Sequence, residues 1–298
     1  IITDLKETFR RGNTFIRLIY INVGIFVIGT LISVILQLFN LSATGIFDLF
    51  ALPASLHRFI LQPWSLLSYM FMHAGFLHIL FNMLWLYWFG SLFLYFFSGK
   101  HLRGLYVLGG ICGGLLYMVA YNVFPLFSSQ VPGATLVGAS ASVLAIVAAT
   151  AYREPNYRVQ LLLFGAVRLK YLALVVIGID VLSITSSNAG GHIAHLGGAL
   201  AGLWFAASLS KGTDLTSWIN WILDGFTSLF QKKTWKRKPK MKVHYGNSAT
   251  GREKDYDYNA HKKAQSDEVD RILEKLKKSG YDSLTTEEKK SLFDASKR

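Results

Sequence analysis

The chain is 298 residues long, 52% hydrophobic and only 16% charged, with a formal net charge of +13. The charge is lopsided: residues 1–230 hold 19 Lys, Arg, Asp and Glu side chains, and residues 231–298 hold 30. An ordinary soluble domain is about 25% charged, so these figures argue against a soluble globular enzyme and a uniformly basic nucleic-acid binder, while the single cysteine, Cys112, excludes a disulfide framework or a Cys-based zinc site.

A bilayer core about 30 Å thick needs roughly 20 apolar residues as helix. A short basic segment, 1–16, leads into the first apolar stretch, 17–38, which is too long for the h-region of a signal peptide. The loop 39–74 carries Phe47, Leu49, Phe50, Leu52, Phe59, Ile60 and Trp64. So much apolar side chain predicts a folded, partly membrane-embedded element and not a solvated linker. Further apolar stretches follow at 75–97, 102–124, 136–152, 169–186 and 192–209. The last three are short, and burial behind neighbouring helices or a thinned bilayer would satisfy their ends. None alternates strictly, and only helices and closed barrels satisfy their backbone in lipid. The expected fold is therefore an all-α membrane protein, a six-helix transmembrane bundle over 17–210.

Loop charge orients the bundle. Lys6, Arg10, Arg11 and Arg17, then Lys100 and Arg103, then Arg153, Arg158, Arg168 and Lys170, then Lys211 and the basic tail all fall on one side. The alternate loops 39–74, 125–135 and 187–191 hold one basic residue, Arg58. The positive-inside rule makes both termini cytoplasmic, as expected for a bacterial inner membrane. Residues 211–240 read as an amphipathic, basic juxtamembrane segment. Its Trp218, Trp221, Phe226 and Phe230 would lie at the interface, and the run from Lys232 to Lys240 would grip anionic lipid. Residues 241–265 read as a disordered linker. Val269, Ile272, Leu273 and Leu276 then fall at helical spacing before Gly280, and Thr285 to Glu288 resembles a capping box opening a second helix. Residues 266–298 thus form a small helical cytoplasmic element. It either docks on a partner the sequence does not identify or is only a charged tail.

Polar groups inside a membrane are costly and need partners or a task. His78 and Asn82, four residues apart, share a face of the second span. Ser140 lies in Leu136-Val137-Gly138-Ala139-Ser140-Ala141 at the start of the fourth, and His195 in Gly191-His192-Ile193-Ala194-His195 at the start of the sixth. Counted from their points of entry, Ser140 and His195 fall roughly 5–7 Å inside, with His78 at a similar depth and Asn82 one turn deeper. A serine hydroxyl is a weak nucleophile until a base takes its proton, and an imidazole can do that and later protonate a leaving amine. The amide of Asn82, the ring N–H of His78 and the backbone N–H of Ser140 are donors for an oxyanion, worth about 3–4 kcal/mol each.

These residues resemble the motifs of the rhomboid family of intramembrane serine proteases. His78-Ile79-Leu80-Phe81-Asn82 matches its H-x-x-x-N, Gly138-Ala139-Ser140 its G-x-S, and Gly190 through Gly202 its G-x-x-x-A-H-x-x-G-x-x-x-G. The resemblance covers about residues 15–210. It implies a Ser140 nucleophile and a His195 base acting as a dyad, with His78 and Asn82 forming part of the oxyanion hole. It also implies cleavage of transmembrane protein substrates in or near a membrane helix, without a metal or organic cofactor. Three positions depart from the family pattern: Ala141 replaces a glycine after the serine, Trp64-Ser65 replaces a Trp-Arg pair, and Leu144 stands where some members stack a tyrosine on the histidine.

Blander readings compete. Ser140 could bond its own helix. His192 is a rival base, and His73 could only brace the loop. His73, His78, His192 and His195 could in principle bind zinc, although no H-E-x-x-H accompanies them. Asp180, a buried acid in the fifth span, is expected to pair structurally with a neighbouring helix, the other reading being a third catalytic member. At the level of the whole protein the alternatives are a non-catalytic rhomboid-like protein that binds or chaperones membrane segments, and a small transporter. The polar residues cluster at one level, however, and no inverted repeat is visible.

Overall fold

In the computed structural model, residues 12–161, 165–230 and 249–296 are described. The chain divides into two units, Ile1–Lys232 and Lys233–Arg298. The first begins with helix α1, Thr14–Leu38. The connection after it folds into three short helices, α2 Thr44–Asp48, α3 Leu56–Leu61 and α4 Ser65–Ser68, with strand β1, Leu52–Pro53, among them. Helices α5, Phe76–Phe96, and α6, Gly99–Val123, come next. Strand β2, Thr135–Leu136, leads to α7, Ser140–Arg153. Strands β3, Arg158–Leu161, and β4, Gly165–Arg168, pair antiparallel before α8, Leu169–Leu182. Helices α9, Ala189–Ser210, and α10, Ser217–Phe230, complete the described part of this unit.

Four of these helices, α1, α5, α6 and α9, are long and apolar enough to cross a membrane. They differ in what covers them. In α6, 67% of the apolar window is buried by the rest of the chain, and in α1 only 6%. Helix α1 buries Phe15, Leu18 and Asn22 and leaves Ile28, Leu31, Val34 and Ile35 exposed. A helix clothed in apolar side chains with no protein over them is suited to lipid. Helix α7 is the opposite case. At 14 residues it is short, and every residue from Ala141 to Ala151 is buried, as befits a core helix enclosed by others.

In the first unit two details of the sequence-based picture change. The expected fourth span, 136–152, starts as helix only at Ser140. Leu136 and Thr135 pair instead with Leu52 and Pro53. Gly138 follows with φ +129°, a conformation that L side chains rarely adopt, and its N–H donates to the Tyr69 carbonyl at 3.0 Å. The two strand pairs also add short β elements to the expected all-helical body. The β1–β2 pair ties the loop 39–74 to the approach of α7. Inside that loop, the Trp64 indole donates to the Leu49 carbonyl at 2.8 Å and the Ser68 hydroxyl to that of Phe50 at 2.7 Å. From α6, the Asn122 amide donates to the Ala54 carbonyl at 2.8 Å. The apolar loop is therefore a folded element.

Small residues set the spacing of the core. A Cβ added at Gly198 on α9 would lie 2.0 Å from the Ala141 carbonyl oxygen of α7, and one at Gly202 would lie 2.1 Å from that of Ala145. The two backbones touch, which only glycine permits. At the far end of α6, Arg103 donates to Asn220 at 2.7 Å and also bonds Asp224, holding α10 against α6. Trp218, Trp221 and Phe226 of α10 remain exposed, the two-faced character expected of an interfacial helix.

The second unit contains α11, Ala249–Ser279, and α12, Thr286–Ser296, joined through Gly280 at φ +78°. Residues 249–265, read from their polarity as a disordered linker, belong to α11. They are polar, and nine of the seventeen are Ala, Lys, Arg, Glu or Gln, which carry high helix propensity. The capping box forms: the Thr285 N–H donates to Glu288, and the Glu288 N–H to the Thr285 hydroxyl. Lys275 adds a 2.9 Å ion pair to Glu288. Ile272 and Leu284 are buried, whereas Leu273 and Phe293 are exposed. The basic run 232–240, residues 241–248 of the expected linker and most of the N-terminal segment 1–16 lie outside the described residues.

Candidate active site

Three helices present their N-terminal ends to one cavity. From α5 come His78 and Asn82, from α7 Ser140, and from α9 His195, all within the first two turns of their helices. Helix α8 adds Asp180, Val176 and Ile179. The cavity holds about 450 Å³; apart from Asn188, the rest of its wall is apolar, Phe81, Trp85, Val143 and Leu144 among it. All four site residues named from the sequence thus meet in one place. Ser140 stands elsewhere than expected: it heads α7, with no helical turn above it.

That position matters for the backbone. The first intrahelical bond of α7 runs from the Val143 N–H to the Ala139 carbonyl at 2.9 Å. The amides of Ser140, Ala141 and Ser142 precede it and have no partner within the helix, so this end is electropositive and rich in donors. Gly138 keeps the approach low. A Cβ there would lie 2.8 Å from His78 Nε2 and 3.6 Å from the Ser140 hydroxyl oxygen. The bare Cα is what lets these two groups share a corner.

The orientation of each side chain follows from its partners. His78 Nδ1 accepts the Ala74 N–H at 3.4 Å. This long bond leaves the proton of a neutral ring on Nε2, the nitrogen beside Gly138. The Asn82 amide donates to the His78 carbonyl at 2.9 Å, which fixes its plane and leaves its second N–H available. His195 Nδ1 lies 2.8 Å from Asp180 Oδ1, so Nε2 is its free nitrogen. His192 Nδ1 lies 2.8 Å from the same oxygen. Its ring stands edge-on to that of His195, with centroids 5.8 Å apart. Among the described residues the Ser140 hydroxyl makes no hydrogen bond, as is common for a nucleophile without substrate.

Asp180 pairs with a neighbouring helix, as expected of this buried acid: its carboxylate binds both histidines of α9. The available signal was the acid itself, since a buried carboxylate in a span must find donors. The four-histidine zinc reading is redrawn. His73 and His78 pair ring to ring at 5.1 Å. Among the described residues, the grouping with ligand atoms within 4.8 Å of one another is Asp180, His192 and His195. Its types suit a transition metal, but the 2.8 Å spacings are those of charge-assisted hydrogen bonds.

Comparison with known proteins agrees with the motifs. The rhomboid domain family matches residues 61–212. The chain belongs to the rhomboid family. Its H-x-x-x-N lies on α5, its G-x-S at the head of α7 and its A-H pair on α9. A relative, the RHOMBOID-like protein 12, mitochondrial, of Arabidopsis thaliana, is 31% identical over 157 residues, which cover 50% of this chain and 47% of that protein. The chain therefore spans about half the length of that curated relative. Beyond the rhomboid domain, residues 252–298 match a family of unknown function (DUF6576). The apolar helices and the rhomboid domain together make this an integral, multi-pass membrane protein.

Proposed function

We propose that this rhomboid protein is an intramembrane serine endopeptidase that cleaves transmembrane-segment-containing proteins through Ser140 and His195. One observation carries the reading: a serine at a donor-rich helix start and an imidazole with a free Nε2 line the same small cavity, together with His78 and Asn82. His195 Nε2 takes the proton of the Ser140 hydroxyl as the oxygen attacks the scissile carbonyl carbon. The resulting oxyanion is held by the Nε2–H of His78, the free N–H of Asn82 and the backbone N–H of Ser140. Each such donor is worth about 3–4 kcal/mol to the transition state. His195 then gives its proton to the departing amine, and water, activated by the same ring, releases the acyl group from Ser140.

The helices serve this chemistry by position. Six of them, α1 and α5 to α9, span the bilayer in our reading, with both termini on the cytoplasmic side, where the basic loops fall. The N-terminal ends of α5, α7 and α9 then open on the opposite side, so water reaches the cavity from that face. Lipid contacts the bare flank of α1 and the aromatic face of α10. A competing reading keeps the fold without the chemistry, as a binding protein for membrane segments. It is favoured only by the unbonded Ser140 hydroxyl.

The test is cleavage of a reporter with one transmembrane segment by the purified, reconstituted protein. Ser140→Ala and His195→Ala should each abolish turnover while insertion and thermal stability persist. Cleavage that survives Ser140→Ala would exclude the mechanism, and an inert wild-type protein that still binds the segment would favour the binding role.

A further inference from the structure

Resting on that reading, we propose that Asp180 is a positioning residue for His195 and that His192 is the second clamp on its carboxylate. Asp180 is 3% exposed and lies on α8, while both histidines lie on α9, three residues apart and on one face. Both Nδ1 atoms lie 2.8 Å from the single oxygen Oδ1. A carboxylate only accepts hydrogen bonds, so each ring must carry its proton on Nδ1. For His195 this selects the tautomer whose Nε2 lone pair is free to take a proton. The shared oxygen also fixes the plane of the ring, since a ring flip would break the bond.

The second carboxylate oxygen, Oδ2, is buried and has no protein donor among the described residues. Asp180 is therefore incompletely compensated while both rings are neutral. A positive charge formed on His195 during proton transfer lies against this carboxylate and completes the compensation. The arrangement thus favours the imidazolium of the transition state over the neutral ground state, which raises kcat more than it improves binding. His192 contributes by holding the carboxylate in place from one helical turn earlier. It does not line the cavity and does not touch the reacting atoms.

The experiment measures kcat and KM for the transmembrane reporter with the full chain in phospholipid vesicles, for Asp180→Asn, Asp180→Glu and His192→Ala, with Ser140→Ala as reference. Asp180→Asn should lower kcat about 10²–10⁴-fold with KM within about twofold and thermal stability nearly retained. Asp180→Glu should recover part of the lost kcat, and His192→Ala should cost about tenfold. Wild-type kcat in Asp180→Asn, with turnover still dependent on Ser140, would overturn the positioning role and leave the peptidase reading intact. Loss of stability together with activity, and no recovery in Asp180→Glu, would reduce Asp180 to a structural acid. One equivalent of zinc retained by the purified wild-type protein would make the trio a metal site and overturn the proposal. Reporter cleavage persisting in Ser140→Ala would instead remove the reading on which it rests.

Discussion

His73 sits just ahead of α5, its ring 5.1 Å from that of His78. Burial first, and the neighbouring His78 second, lower its pKa from the usual 6.5 to about 4, against a smaller opposing pull from the Phe71 carbonyl. The folded protein therefore keeps His73 neutral at pH values where the unfolded chain protonates it. Its contribution to stability is complete above about pH 6.5 and is lost as the pH falls from there towards 4. The thermal midpoint of the wild type should decline across that window more steeply than that of His73→Asn; equal slopes would exclude His73 as the source. The catalytic candidates were legible at this scale because each is a polar group interrupting an apolar run. The bond from Asp180 to His192 and His195 was not. It spans 12 and 15 residues across a turn whose geometry no local pattern fixes.

Among the elements, α7 and α9 show how packing and site geometry are one problem. Gly198 lies one turn after His195, and Ala141 lies next to Ser140. Any carbon added at Gly198 meets the Ala141 carbonyl at 2.0 Å, so α9 must move away from α7 and carry His195 with it. Gly198→Val should cost about 1–3 kcal/mol of stability and lower turnover as well. Gly178→Ala on α8, where nothing lies within 4 Å of the added carbon, should change neither. Thermal unfolding and reporter cleavage measured on both variants check this, and a fully active, stable Gly198→Val would refute the contact. The sequence revealed where the long spans run, because a stretch of about 20 apolar residues has few other uses. It misplaced helix ends. Leu136 and Val137 are as apolar as the helix they precede, and only the pairing of Leu136 with Leu52 shows that they lie outside it. In the second unit the error had the opposite sign, since residues 249–265 read as a linker from their polarity although they are helical.

At the scale of the molecule, the division of charge along the chain anticipated a membrane body followed by a separate charged unit. The rhomboid match over 61–212 and the match over 252–298 to a family of unknown function fall on either side of that division. The helix–turn–helix form of the second unit was legible from Gly280 and the Thr285–Glu288 cap. The central claim concerns the first unit alone: Ser140 is a nucleophile because His195 activates it. A serine-directed fluorophosphonate reports this without a known substrate, since the Ser140 oxygen attacks phosphorus, fluoride departs, and the adduct adds a fixed mass to one peptide. The account predicts that mass spectrometry of the vesicle-embedded protein finds the adduct on Ser140 alone, forming at least about 10²-fold more slowly in His195→Ala. No adduct on Ser140, or one that forms at the same rate without His195, would contradict it.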